Sequence, residues 1–144
     1  MTKYIYNYIA LSFLCITLLG CTNVEENSST FFGGKIINPK TKFVVLYAND
    51  KVIDTLVLND SNKFLGTYNN LDEGLYYFQH GNENQYIYLE PRDSLMLRLN
   101  TWDFDESLVF AGQGAERNNI LIDIFLETEN ERKNFYQLNN LNSK

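Results

Sequence analysis

Apolar and polar residues alternate over short stretches in the middle of the chain, a pattern that predicts half-buried β-strands. Leu95, Leu97 and Leu99 share one face of such a stretch, while Met96 and Arg98 share the other. Segments of this kind recur at roughly 8–12-residue intervals with turn-forming residues between them, which is typical of a β-sandwich or barrel. The predicted strands are Phe31–Ile37, Phe43–Ala48, Val52–Leu58, Lys63–Tyr68, Gly74–His80, Gln85–Glu90, Ser94–Leu99 and Leu108–Phe110.

A helix is predicted after the strands, because the alternation ends at Gly114 and Ala115–Leu138 contains neither Gly nor Pro. One face of this helix is apolar at both ends and polar in the middle. That face consists of Leu121, Ile124, Thr128, Glu131, Phe135 and Leu138. The charged stretch Glu127–Lys133 leaves two outcomes open, a break in the helix or stabilisation by ion pairs. We expect residues 139–144 to form a fraying polar tail. The predicted fold is therefore mainly β, an antiparallel β-sandwich of about seven or eight strands with a C-terminal helix.

The first twenty residues have the layout of a secretory signal, with a short charged start and a long apolar run. Lys3 is the only charged residue among them, and Tyr4–Leu19 is almost wholly apolar. The run ends in Leu18-Leu19-Gly20-Cys21, which resembles the lipobox of bacterial lipoproteins. The resemblance implies cleavage between Gly20 and Cys21 and a diacylglycerol on the Cys21 sulfur, which anchors the protein in a membrane.

An uncleaved transmembrane helix is the alternative, because the uncharged stretch Tyr4–Val24 is close to the roughly 20 residues that span a bilayer. Both interpretations leave Lys3 inside and everything after Cys21 outside the cytoplasm.

The polar segment after Cys21 predicts a flexible tether over residues 21–30. Its acidic pair, Glu25-Glu26, resembles the surface-export signal of Bacteroidota lipoproteins. The expected organisation is a signal (1–20), the tether (21–30), a β-sandwich (31–114) and a helical segment (115–144). The expected location is the cell envelope, at the periplasmic face or the outer-membrane surface.

Charge and cysteine content narrow the function further. After Cys21 the chain keeps eleven of twelve basic residues and all eighteen acidic ones, so its net charge is 11 − 18 = −7. Such a surface repels phosphate backbones, and we expect no nucleic-acid partner. No polybasic stretch is present to hold the chain on anionic lipid. Cys15 leaves with the signal, so a lipidated Cys21 leaves no thiol for a disulfide, a metal site or a redox pair.

The order of several short motifs resembles the N-terminal β domain of thioredoxin-like lipoproteins of Bacteroidota. These motifs are Gly34-Lys35-Ile36-Ile37-Asn38-Pro39, Ile53-Asp54-Thr55-Leu56, Gly74-x-Tyr76-x-Phe78, Pro91-x-Asp93-Ser94 and Gly112-x-Gly114-x-x-x-Asn118. The resemblance covers roughly residues 31–126. It implies a β domain and a helical segment that precede a thioredoxin fold bearing C-x-x-C. This chain has no C-x-x-C, so no catalytic residue is carried over, and it is either a stand-alone relative of the front half or the product of a truncated gene.

Three polar features invite a chemical role, and each has a simpler structural explanation. His80 is the only histidine, and we expect it in a surface or turn role at a strand end. Asp93-Ser94 suits a turn in which both side chains bond their own backbone. The acidic residues Asp103, Asp105 and Glu106 beside Trp102 are expected in a solvated loop, because a calcium loop needs a glycine bend and more ligands. We therefore assign no catalytic residue, metal site or cofactor.

Four aromatic residues, Tyr76, Phe78, Tyr86 and Tyr88, are candidates for a ligand-binding face. If their strands pair, the four rings can lie together and stack on sugars or peptides when exposed. If they are buried they form half of a sandwich core, and we prefer this because the domain needs core residues from both sheets.

The sequence thus favours a membrane-anchored, non-catalytic β-sandwich that acts as a binding or spacer module. The first alternative is the front half of a thiol–disulfide oxidoreductase whose catalytic domain is missing or separately encoded. The second is carbohydrate or peptide binding on the aromatic sheet face. A protein or glycan of the envelope is the expected partner beside the membrane itself.

Overall fold

The computed structural model describes residues 29–142, which form eight strands followed by one helix. Every predicted strand and the predicted helix are present, with shifts of a few residues at their ends. The elements are β1 (Ser29–Ile37), β2 (Phe43–Ala48), β3 (Lys51–Val57), β4 (Lys63–Asn69), β5 (Gly74–His80), β6 (Glu83–Leu89), β7 (Ser94–Asn100), β8 (Val109–Gln113) and α1 (Ala115–Asn142).

The strands form two four-stranded sheets, which confirms the predicted mainly β sandwich with a C-terminal helix. The first sheet has the strand order β4-β1-β7-β8, and the second has the order β3-β2-β5-β6. All neighbouring strands are antiparallel except β1 and β7, which run parallel with Phe31 opposite Ser94. A parallel pair needs a long crossover, and here the whole second sheet and β4 supply it.

The core lies between the two sheets and is built from one face of every strand. Leu95, Leu97 and Leu99 are buried while Arg98 is exposed, as their alternation predicts. Phe32 of β1 is fully buried at the centre. Its ring centre lies 5.5 Å from that of Phe64 in the same sheet and 6.0 Å from that of Phe78 in the other sheet. The two sheets therefore share a single aromatic and aliphatic core.

The domain begins earlier than predicted. β1 starts at Ser29, and Thr30 is fully buried. The Thr30 hydroxyl donates to the Glu90 carbonyl (3.3 Å) and accepts from the Arg92 amide (3.0 Å). Assigning Ser29 and Thr30 to the tether was therefore wrong, because tertiary hydrogen bonds extend the strand. The predicted signal and Cys21 lie outside the described residues.

α1 passes through its charged middle without a break. Glu129 and Arg132 form an ion pair one turn apart at 2.5 Å, which supports the stabilising outcome. Helical structure also continues to Asn142, so the expected tail over residues 139–142 was wrong. Only the beginning of α1 packs on the sandwich, through Ile122 in the core, and the side chains of residues 131–137 are exposed. Within residues 29–142, no helix is long and apolar enough to cross a membrane.

Candidate functional site

The pairing of β5 with β6 separates the four aromatic residues proposed as one face. Tyr77 lies opposite Tyr86, so Tyr76 faces the same side as Ile87 and not as Tyr86. Tyr76 (6% exposed) and Phe78 (0%) are in the core, whereas Tyr86 (51%) and the half-buried Tyr88 lie on the outer face. A single face of all four rings was therefore wrong, and the core alternative holds for two of them. In a hairpin the turn sets the register, and a shift of one residue moves every side chain to the other face.

A different set of rings lies together on the outer face of the second sheet. Tyr47 and Tyr77 stack nearly parallel, with ring centres 4.6 Å apart and an angle of 7° between their planes. Tyr86 meets the edge of Tyr77 at 5.7 Å and 64°. These three residues, here called the tyrosine ladder, come from the neighbouring strands β2, β5 and β6. The ladder is a preorganised aromatic platform, since offset and edge-to-face contacts fix the rings relative to one another.

Apolar side chains surround the ladder and remain open to solvent. Strand pairing places them on the outer face of the second sheet. Val52 lies opposite Tyr47, and Leu75 lies two positions from Tyr77. Phe43 shares the outer side of β2 with Tyr47, and Val57 lies opposite Phe43. They are Phe43 (42% exposed), Val52 (58%), Val57 (72%) and Leu75 (53%). The ladder, these four residues and Tyr88 are together called the tyrosine face. Several exposed apolar side chains on one sheet face mark an interaction site more often than isolated exposed residues do.

Hydrogen bonds orient the phenol groups of the tyrosine face. The Tyr47 hydroxyl donates to Gln79 Oε1 (3.2 Å), and the Tyr77 hydroxyl donates to Asp50 Oδ1 (3.4 Å). Desolvation and the nearby Asp50 carboxylate raise the pKa of Tyr77. The Tyr88 hydroxyl donates to Glu73 Oε1 (2.6 Å), and this bond is the main reason that the pKa of Tyr88 is raised. Both phenols stay neutral well above neutral pH, so these rings present uncharged surfaces.

The helix start closes the open edges of both sheets next to this face. The fully buried Asn118 accepts from the Tyr88 amide (2.8 Å) and donates to the Tyr88 carbonyl (2.9 Å). Its neighbour Asn119 makes the same pair of bonds to Phe110, accepting at 2.9 Å and donating at 3.2 Å. Tyr88 belongs to the edge strand of the second sheet and Phe110 to that of the first. Two consecutive amides thus replace the missing strand at both edges, which is a structural role.

Asp93 has the turn role that the sequence predicts. Its carboxylate accepts from the Glu90 amide at 2.8 Å and forms a buried ion pair with Arg117. The Arg117 guanidinium also lies 3.5 Å from Glu90 and 5.8 Å above the Tyr88 ring. Ser94 begins β7 and pairs with Phe31. These contacts hold α1 against the β6–β7 turn.

His80 ends β5 just before a turn, as predicted, but it is a buried structural residue, so a surface position was wrong. Only 1% of it is exposed. Its Nδ1 donates to the Phe43 carbonyl (2.9 Å), and its Nε2 accepts from the Lys40 amide (2.9 Å). Burial is the main reason that its pKa is lowered, so the ring is neutral at pH 7. Both ring nitrogens bond backbone groups at the start of β2 and in the loop before it, so neither nitrogen of His80 is free.

The acidic residues near Trp102 lie in a loop, and only one of them has a defined partner. Asp103, Glu106 and Trp102 are exposed, while Phe104 points into the core. Asp105 is half-buried and accepts from Gln85 Nε2 at 3.0 Å. Desolvation is the main cause that raises the pKa of Asp105. Within residues 29–142 no group of three or more His, Cys, Asp or Glu side chains is arranged to hold a metal ion.

The sequence pointed to two of the three strands that carry the tyrosine ladder, β5 and β6. It missed Tyr77 on β5 and Tyr47 on β2, and it included the core residues Tyr76 and Phe78. Strand alternation places Tyr77 on the opposite side of β5 from Tyr76 and Phe78, and that signal was available. Which side faces solvent depends on the partner sheet. Comparisons of the chain with protein-family profiles, with curated proteins and with solved structures give no match.

Proposed function

We propose that this protein is a lipoprotein of the cell envelope, anchored through Cys21, whose non-catalytic β-sandwich binds a ligand on the tyrosine face. The lipobox and the preceding apolar signal support the anchor. The tyrosine ladder, with Tyr86 exposed and Tyr47 and Tyr77 half-buried, is the observation that favours a binding module over a passive spacer. A spacer needs only solubility, and rings stacked at 4.6 Å beside four exposed apolar side chains do not serve solubility.

The chemistry of the face favours a neutral carbohydrate. Tyrosine supplies a large, rigid contact area with little loss of side-chain entropy, and a flat ring stacks on the C–H face of a sugar. Tyr86 is half exposed at one end of the ladder and is the ring most open to a ligand. Asp50 and Glu73 at the rim accept hydrogen bonds from Tyr77 and Tyr88, and their remaining lone pairs can accept from sugar hydroxyls. Binding of peptides is the competing outcome.

The binding face is tested with single substitutions of exposed tyrosines. Tyr86→Ala removes the open ring, and we expect about 30-fold weaker glycan binding, the effect of losing a central aromatic contact of about 2 kcal/mol. Tyr136→Ala is the matched control, because Tyr136 is equally open (62% exposed) but lies on α1. Glycan-array binding followed by titration calorimetry gives the readout. Equal affinity of the Tyr86→Ala variant and the parent would remove this face from the proposal.

The anchor has its own test. Mass spectrometry of the protein purified from membranes should find Cys21 as the first residue, carrying a diacylglycerol. A Cys21→Ser variant should keep its signal and lose the lipid. A mature protein that retains residues upstream of Cys21 supports the transmembrane alternative.

One observation favours a second candidate, the front half of a thioredoxin-like oxidoreductase. α1 leaves the sandwich with large apolar side chains exposed, among them Ile124 (56%), Phe135 (62%) and Tyr136 (62%). In the family that the sequence resembles, a thioredoxin fold follows this helical segment and could cover such residues. Reading the DNA downstream of the Lys144 codon decides between the candidates. A thioredoxin domain there, in frame or frameshifted, supports the second, and unrelated sequence removes it.

A further inference from the structure

Three basic side chains lie in one row across the outer face of the first sheet. Lys35 of β1 is directly opposite Lys63 of β4 and beside Arg98 of β7. All three residues are exposed. Neighbouring strands are about 4.8 Å apart, so the row spans about 10 Å. These residues, here called the basic row, are far apart in sequence, and only strand pairing brings them together.

No acidic residue balances the basic row within its own sheet. The four strands of the first sheet contain none of the eighteen Asp and Glu residues of the chain. None of the three basic residues forms an ion pair with any residue in the range 29–142. Like charges directly opposite one another in a sheet repel and destabilise it. A row of three cations in a chain with excess negative charge is therefore a surface that an anionic partner stabilises.

The surroundings of the basic row are aliphatic, which narrows the class of anion. Leu65 (58% exposed) and Val109 (52%) lie on the same outer face, and Met96 is half-buried between them. A groove of about 610 Å³ passes beside Lys35 and Lys63 and is lined by Leu65 and Met96. Lysine stems can lie along such a surface while their ammonium groups reach outward. Basic heads above an aliphatic surface match the interface of an anionic bilayer, whose phosphates lie above acyl chains.

The position of the first sheet in the chain agrees with a membrane partner. β1 begins at Ser29, and the eight peptide units from Cys21 to Ser29 reach at most about 28 Å. If Cys21 carries the lipid, the start of β1 is held within that distance of the headgroups, and the basic row lies six residues further along the strand, about 20 Å away. A short tether gives the domain a high effective concentration at the surface, so weak contacts suffice.

We propose that the outer face of the first sheet rests on anionic phospholipid headgroups of the anchoring membrane, with Lys35, Lys63 and Arg98 contacting their phosphates. This inference rests on the proposed lipid anchor. It sets the orientation of the domain, because the tyrosine ladder lies on the outer face of the other sheet and then points away from the bilayer. In this proposal the lipid on Cys21 anchors the protein, and the basic row orients the domain on the membrane.

The orientation is measured with two single cysteines in the full lipidated protein. Leu65→Cys places a fluorescent probe beside the basic row, and Leu75→Cys places it on the tyrosine face at matched exposure (58% and 53%). Cys15 leaves with the signal and Cys21 is blocked by its lipid, so the probe reacts with the introduced thiol in each variant. The protein is inserted into vesicles of phosphatidylcholine, with or without phosphatidylglycerol, that carry spin-labelled quencher lipids. We expect quenching at position 65 to exceed that at position 75 by about threefold or more in the anionic vesicles. Equal quenching at both positions in those vesicles overturns the proposal.

Charge reversal separates the basic row from other lysines. Lys35→Glu with Lys63→Glu should abolish the difference between the two probe positions. The control, Lys42→Glu with Lys51→Glu, changes net charge equally at two exposed lysines outside the first sheet and should preserve the difference. High salt should weaken the effect, because it shortens the screening length. If the control abolishes the difference as well, net charge and not the basic row is responsible.

Two further measurements distinguish a soluble anionic ligand from the membrane and show whether Cys21 is lipidated. Free inorganic phosphate or a sulfated glycan that removes the quenching difference in anionic vesicles, when sodium chloride at the same ionic strength does not, indicates a soluble-anion site and overturns the lipid assignment. Failure of the anchor is visible independently, since an unlipidated protein gives the mass of the unmodified chain and does not enter vesicles. Full lipidation with random orientation therefore contradicts this inference alone.

Discussion

The two sheets bury similar inner faces and present opposite chemistry to solvent. On the inside, β7 contributes Leu95 and Leu97 and β6 contributes Ile87 and Leu89, all buried to similar extents. On the outside, the first sheet carries the basic row with no acidic residue, and the second carries the tyrosine face. Burial constrains the inner faces to aliphatic and aromatic side chains, whereas solubility leaves an outer face wide freedom. The two sheets therefore differ where they meet solvent and not where they meet each other.

The outer faces also differ in how their side chains interact. The tyrosine face is held by ring stacking and by hydrogen bonds to Gln79 and Asp50, so it is organised before a ligand arrives. The basic row has mutual repulsion and no internal partner among the described residues. The tyrosine face therefore suits recognition of a ligand by its shape. The basic row suits attraction to a diffuse charged surface, and its contribution to the binding free energy depends on salt.

The largest expected effect comes from the core that the faces share. Phe32→Ala removes a ring that contacts Phe64 in one sheet and Phe78 in the other. We expect the free energy of unfolding to fall by about 3–5 kcal/mol, the usual result of truncating a buried Phe. Urea denaturation followed by tyrosine fluorescence measures this. Separate unfolding transitions for the two sheets would contradict a single cooperative core.

The two asparagines test the sheets separately. Asn118→Ala leaves the Tyr88 amide and carbonyl without partners, and we expect a loss of about 2–3 kcal/mol in the free energy of unfolding. Asn119→Ala does the same to Phe110, with a smaller loss because Asn119 is less buried. Hydrogen exchange should show lost protection at Tyr88 in the first variant and at Phe110 in the second. Identical exchange patterns would mean that the helix start does not act on the two edges independently.

A pH effect is expected at the second sheet through His80. Its folded-state pKa is lowered, mainly by burial, with Lys40 lowering it further and the bond to Phe43 and nearby Glu83 opposing this. Above an unfolded-state pKa of about 6.5 both states are neutral and His80 contributes its full stability. As pH falls below that value the unfolded state binds a proton first, so stability decreases by at most about 1.4 kcal/mol per pH unit. Urea denaturation between neutral and mildly acidic pH gives the slope, and a His80→Gln variant should lack this component.

The smallest effect distinguishes the basic row from ordinary surface lysines. Lys63→Gln removes one like charge opposite Lys35, and we expect the free energy of unfolding to rise by about 0.3 kcal/mol at low salt. The gain should vanish at high salt because screening already reduces the repulsion. Lys42→Gln is the control and should change little. A loss of stability in Lys63→Gln would show that Lys63 has a favourable partner.

Much of the fold was accessible from local patterns. Alternation in Ser94–Leu99 predicted both the strand and its buried side, because a strand with one buried face has a period of two. The stretch from Ala115 predicted the helix because it lacks glycine and proline. The boundary at Ser29–Thr30 and the burial of His80 were missed. In both cases the deciding hydrogen bonds join residues at least 37 positions apart.

The candidate sites were less accessible. Tyr86 and Tyr88 lie on the outer face, whereas Tyr76 and Phe78 lie in the core. Strand register brings Tyr47 and Tyr77 together beside Tyr86 instead. The basic row could not be predicted from clustering of lysine and arginine along the chain, because its three residues are far apart in sequence.

Local stretches of sequence are enough to show which segments become strands or helix and which side chains are apolar enough to be buried, because these follow from local periodicity and turn chemistry. The set of residues that share a surface follows from strand pairing and sheet packing instead. Lys35, Lys63 and Arg98 become neighbours through one antiparallel and one parallel pairing, and the tyrosine ladder through two antiparallel ones. Register between distant strands depends on the packing of the whole core, which no local stretch of sequence specifies.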